Sequence, residues 1–99
     1  MFVGVSRIEL HISASQSLKD KRRIIKSLAQ KISRRFNVSV SEVDHHDLWQ
    51  RGTLAVAHVA ANKKEVEKLI HKITDYAENN SEAEVVRCTY SFFNPEKDF

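Results

Sequence analysis

The chain has 99 residues, 41% of them hydrophobic and 29% charged, which suits one globular domain with a modest core. Its two glycines, Gly4 and Gly52, exclude a Gly-rich phosphate loop, a dinucleotide fingerprint and a GxxG nucleic-acid clamp, and its one cysteine, Cys88, excludes an internal disulfide and any cysteine-built zinc or iron–sulfur site. The formal net charge of +3 hides a polarised distribution: residues 17–36 hold eight basic side chains and one acid, Asp20, whereas the rest of the chain is net −4.

Residues 2–13 alternate in part. Phe2, Ile8, Leu10 and Ile12 share one parity and Arg7, Glu9 and His11 the other, which predicts a strand with one buried face. Val3 and Val5 make the second face apolar at one end. Ser17 is a suitable N-cap, with Asp20 near the positive helix end. Leu18, Ile25, Leu28, Ala29, Ile32 and Phe36 then recur at helical spacing, and Asn37 is a reasonable stop. Residues 38–44 alternate and are β-branched, so they read as a strand. Residues 45–51 form a polar connector holding one aromatic, Trp49, and residues 52–61 read as a third strand. Asn62 with Glu65 opens a second helix whose stripe is Val66, Leu69, Ile70, Ile73 and Ala77; Asn79 and Asn80 end it. In the fourth strand, within residues 82–93, parity places Val86, Cys88, Tyr90 and Phe92 on one face with Glu84. Pro95 blocks further extension, so residues 1–94 are expected to form the single domain and 95–99 a flexible tail.

The order βαββαβ predicts two right-handed split β-α-β units: a ferredoxin-like α+β sandwich, a four-stranded antiparallel sheet with two helices on one face. The N-terminus lacks a basic stretch followed by an apolar run, and no apolar run nears the roughly 20 residues that a membrane span needs. The expectation is a cytoplasmic protein without a membrane partner.

The first helix carries the sharpest functional signal. On its wheel Lys19, Arg23, Lys26 and Arg34 fall along one flank, a row about 22 Å long at 1.5 Å per residue, with Arg22 beside it. Such a row meets several phosphates spaced about 3.4 Å apart along a strand. Solvated helix faces usually mix signs, so this imbalance points to RNA or another polyanion. The second cluster is Asp44-His45-His46-Asp47. Imidazole and carboxylate are metal-ligand types, but neighbouring residues on a strand point to opposite faces, so the plain reading is a hydrogen-bonded strand end. Trp49 beside Arg51 is suited to stacking on a base, anchoring a partner, or folding back over the core.

The sheet lacks the aromatic residues with which an RNA-recognition motif stacks bases, since Leu54, Ala55 and Val56 stand where they are needed. Ala55, Ala57 and Val59 on one face of a central strand instead suit close packing by a second copy, unless they face the helices. Catalytic logic is weak: Cys88 has no activating neighbour, His11, His58 and His71 are scattered, and His58 reads as a satisfied core histidine. No cofactor or metal is expected.

Three segments, VGVSRIELHI (3–12), SLKDKRRIIKSL (17–28) and FNVSVSEVDHHDLWQRGTLAV (36–56), resemble the YlxP-like family of small bacterial domains of unknown function. The resemblance implies a ferredoxin-like fold and a bacterial cytoplasm. Members are often encoded beside translation initiation and ribosome maturation factors, which implies an RNA- or ribosome-linked role. It carries over no catalytic residue. The positions matching its motifs are Ser17, Lys19, Lys21, Arg22, Arg23, Asp44, His45, Asp47, Trp49, Gln50 and Arg51. The expected function is therefore a non-catalytic protein contacting RNA or a ribosomal particle through helix 17–36, using Lys19, Arg22, Arg23, Lys26 and Arg34. The alternative is a homodimeric ligand-binding module that uses the sheet face and the connector residues Asp44, His45, His46, Asp47, Trp49 and Arg51.

Overall fold

A computed structural model describes residues 1–98. In chain order its elements are β1 (Phe2–His11), α1 (Leu18–Arg35), β2 (Ser39–Asp44), β3 (Arg51–Ala60), α2 (Lys63–Asn79), β4 (Glu84–Phe93) and a single helical turn, α3 (Pro95–Asp98). The sheet order is β2-β3-β1-β4 with every neighbouring pair antiparallel, as the ferredoxin-like reading requires.

Local chemistry sets the helix starts. Ser17 is extended and its hydroxyl accepts the Asp20 N–H at 3.0 Å; Asn62 likewise accepts the Glu65 N–H at 3.0 Å. Each side chain satisfies one of the orphan N–H groups of a first turn. At the far end of α1, Phe36 is extended while its N–H still bonds the Ile32 carbonyl. The Phe36 ring then meets Tyr76 of α2 edge-on, with centroids 5.7 Å apart.

The core lies between the helices and one sheet face. Ile8, Leu10 and Ile12, Leu54 and Val56, and Ile24, Ile25, Leu28 and Ile32 are all buried there. Removing each such side chain from water stabilises the fold by about 1.5–3 kcal/mol. Gly4 on β1 shows how tightly α2 approaches: a Cβ there would lie 2.3 Å from Val66 and 2.8 Å from the His58 ring. His58 occupies this crevice, 5% exposed, and among the described residues its ring nitrogens make no hydrogen bond of good geometry, although the Val66 backbone lies close to the ring. It is thus a buried histidine, but not the satisfied one that the sequence suggested. Burial pushes its pKa below the usual imidazole value, opposed in part by the Val66 backbone.

On β4 the parity reading needs a correction. Cys88, Tyr90 and Phe92 pair with Ile8, Ser6 and Gly4 on the helix side, but the register shifts between Glu9 and Leu10, so Val85 rather than Val86 stands opposite Leu10. Val86 is left 50% exposed. One extra residue in a ladder inverts the parity beyond it, which a count of alternating residues does not foresee. The alanines of β3 do face away from the helices: Ala57 pairs with Val5 and Ala55 with Arg7, while Val59, opposite Val3, is 65% exposed.

Two predictions follow from this packing. Leu28→Ala should cost about 2–5 kcal/mol in chemical denaturation, against under about 0.5 for Lys26→Ala on the exposed side of α1. Because the pKa of His58 is lower in the folded state than in the unfolded chain, the unfolded chain binds more protons below about pH 6.5. Stability from this group is present above that value and is lost as pH falls towards the lowered folded pKa, by up to about 1.4 kcal/mol per unit. Denaturation at pH 7 and pH 5 should show a smaller difference in His58→Leu than in the parent.

Candidate functional site

The exposed side of α1 and the connector after β2 meet at one end of the molecule. What joins them is Lys21. It sits on the inner side of α1, one turn before Ile24 and Ile25, and is completely buried. Its ammonium donates to Glu42 Oε2 at 3.0 Å, to the His45 carbonyl at 3.1 Å and to the His46 carbonyl at 3.2 Å. All three ammonium donors therefore have an oxygen, which is the condition under which a buried lysine is tolerated.

The connector is shaped to present those carbonyls. His45 adopts a left-handed conformation, φ 61°, a conformation of modest cost for histidine. Its N–H is accepted by Asp44 Oδ1 at 2.8 Å, and its Nδ1 lies 2.7 Å from the Thr53 hydroxyl. Asp44 in turn receives Arg7 at 2.7 Å; that bond, with the His45 N–H, holds its carboxyl below the usual carboxylate range. At the other end of the connector the Gln50 amide donates to the Ser13 and Ser15 carbonyls, and the Gln50 carbonyl accepts the Ile12 N–H. Gly52 lets α1 close over β3, since a Cβ there would lie 2.7 Å from Ile25.

Against this frame each candidate has a defined place. His45 points to Thr53, whereas His46, exposed, lies 3.9 Å from Glu42. The two rings serve different partners, and no group of three or more His, Cys, Asp or Glu side chains suited to a metal occurs among the described residues. Asp47 and Arg51 are exposed. Trp49 is 49% exposed, so it is not a lid on the core; Leu48 and Val43 are similarly open. Lys21 was visible in the sequence only as a motif position. The signal that would have found its role is its place on the inward face, three and four residues before Ile24 and Ile25 and seven before Leu28.

On the outer side of α1, Lys19, Arg22, Arg23, Lys26 and Arg34 are all exposed. Arg23 is engaged within the fold, at 2.9 Å from Asp20 and 3.4 Å from Glu82. Lys31 donates to the Asn80 carbonyl, and the Arg35 guanidinium lies 5.1 Å from the Tyr76 ring centre. Lys19, Arg22, Lys26 and Arg34 have no ion pair among the described residues. No helix of the described residues is long and apolar enough to cross a membrane.

The fold and these features define a small ferredoxin-like α+β domain with a basic helix and a connector clamped by a buried lysine. A family model described as "Protein of unknown function (DUF503)" matches residues 3–90, and the chain belongs to that family. The chain is also 30% identical, over 82 residues, to a Bacillus subtilis (strain 168) protein named "Uncharacterized protein YlxP". That match covers 83% of this chain and 89% of the relative.

Lys21→Met should remove the ammonium while keeping bulk, leaving Glu42 and two carbonyls without their donor. The expected loss is about 3 kcal/mol in denaturation. Amide exchange should quicken at residues 45–50, while the distant end of β1, near Val3, keeps its protection.

Proposed function

We propose that this protein is a non-catalytic binding protein that contacts RNA or a ribonucleoprotein through α1, in a role linked to translation or the ribosome. The observation that carries the reading is the set of four basic side chains, Lys19, Arg22, Lys26 and Arg34, on the exposed side of one helix and without an ion pair among the described residues. From Lys19 to Arg34 the helix rises about 22 Å, enough to follow several phosphates. These contacts would supply affinity and orientation without reading sequence. The genomic setting implied by the family resemblance, beside translation factors, favours RNA over other polyanions.

Four neutralised phosphates give a log–log salt slope of about −2.8 for single strands and about −3.6 for duplex. Raising salt from 50 to 200 mM should weaken binding of a structured ribosomal RNA fragment roughly 50–150-fold. Lys26→Glu combined with Arg34→Glu should flatten the slope by about 1.4–1.8 while lowering the unfolding midpoint only slightly, since an acid in the last turn of α1 opposes the helix dipole. Absence of RNA affinity at the low salt, or affinity unchanged in the double variant, removes α1 as an RNA surface.

A second reading, a homodimeric ligand-binding module, is favoured by the apolar end of the open sheet face. Val3, Val5, Ala57 and Val59 lie together there, opposite the helices. If this face pairs two copies, sedimentation should give a dimer and Val59→Lys a monomer.

A further inference from the structure

Beside the basic helix lies a groove that the RNA reading does not use. Its floor is aliphatic: Ile25 and Ala29 from α1, Val40 from β2 and Leu54 from β3. The section nearest the connector has a volume of about 360 Å³, with Arg22 and Lys26 on its rim. A second section of about 320 Å³ shares Lys26, Ala29 and Val40 and extends to Arg34. One wall is β2, which ends the sheet and pairs with β3 alone. Among the described residues its outer backbone edge has no strand partner.

An unpaired strand edge offers backbone donors and acceptors to an extended chain, and side-chain pockets beside it select the sequence. Here the pockets are aliphatic in the middle and cationic at the ends. The one acid at the groove, Glu42, is already held by Lys21. Bases would need aromatic platforms, and this floor has none. A second copy of the groove would bring like charges together.

We propose that the α1–β2 groove binds an extended acidic segment of a partner protein, added to the sheet as a strand beside β2. Its length can be derived. Arg22 and Arg34 are separated by about 18 Å along α1. Six residue steps of a strand cover about 20 Å, and side chains an even number apart point the same way. The segment thus has two acidic residues six positions apart, meeting Arg22 and Arg34. Two aliphatic residues between them, on the same face, lie over Ala29 and Val40. Lys26 faces the middle of the segment. Because Arg22, Lys26 and Arg34 also belong to the proposed RNA surface, the strand and RNA would exclude each other, but the groove's occupancy does not depend on RNA binding.

The probe is an end-blocked heptapeptide, Glu-Thr-Val-Thr-Val-Thr-Glu, titrated into the full chain. The expected result is saturable binding below about 1 mM and slower amide exchange at Ser39–Val43. Replacing both valines by serine should weaken binding at least about tenfold, and replacing both glutamates by lysine should abolish it. Ala29→Gln, which fills the groove with a neutral helix-forming side chain, should weaken the parent peptide about tenfold in a chain that still unfolds cooperatively. Arg22→Ser with Arg34→Ser should do the same from the rim. The proposal is overturned by no binding at that concentration, by equal binding of the serine peptide, or by unchanged exchange in β2. It is equally overturned if the free chain is a dimer with β2 already protected, or if an RNA oligonucleotide rather than the peptide slows those amides.

Discussion

A lysine ammonium with no access to water holds one end of this domain together. Burying such an ion costs several kcal/mol unless oxygens replace its hydration. Lys21 receives three, one carboxylate and two main-chain carbonyls, from β2 and the turn that follows it. The interaction therefore couples α1, an edge strand and the loop that follows it. It also explains the left-handed His45: the turn there brings two successive carbonyls to one donor. The alternating grips of Arg7 on Asp44 and Gln50 on the β1–α1 loop complete the frame.

The charge of α1 divides into parts with different physical roles. Lys21 is structural and neutralised. Arg23, Lys31 and Arg35 lie against residues of the α2–β4 side, through Glu82, Asn80 and Tyr76. Lys19, Arg22, Lys26 and Arg34 remain turned to solvent. The formal excess of the segment thus overstates the free charge, but what remains is arranged along one helix side and beside one groove.

Much of the architecture was legible because it rests on short-range rules. Both N-caps, both apolar stripes and the element order follow from spacing and side-chain chemistry, and they fix the ferredoxin-like sheet once crossovers are right-handed. What escaped depends on contacts between distant segments. Lys21 reads as one more solvated cation until β2 and the connector are laid over it. Ile24 lies outside the apparent stripe because the core wraps further round α1 on the side of α2. The shift of β4 comes from an extra residue in a ladder, and the enclosure of His58 comes from α2 and β1 closing over it. The connector residues were legible as a cluster of polar types, but their division between Thr53, Arg7 and Glu42 was not.

Lys21 grips the backbone at 45 and 46, not the side chains there. Every amino acid supplies a carbonyl, so the clamp measures the path length of the chain between Glu42 and the turn and is indifferent to what His46 presents outward. A single inserted residue would carry a carbonyl out of reach, whereas exchange of the exposed His46 side chain would leave the grip unchanged. The connector is thereby a ruler with interchangeable markings: its length is read from inside, at the backbone, and the side chains at its exposed positions 46 to 49 lie outside that measure.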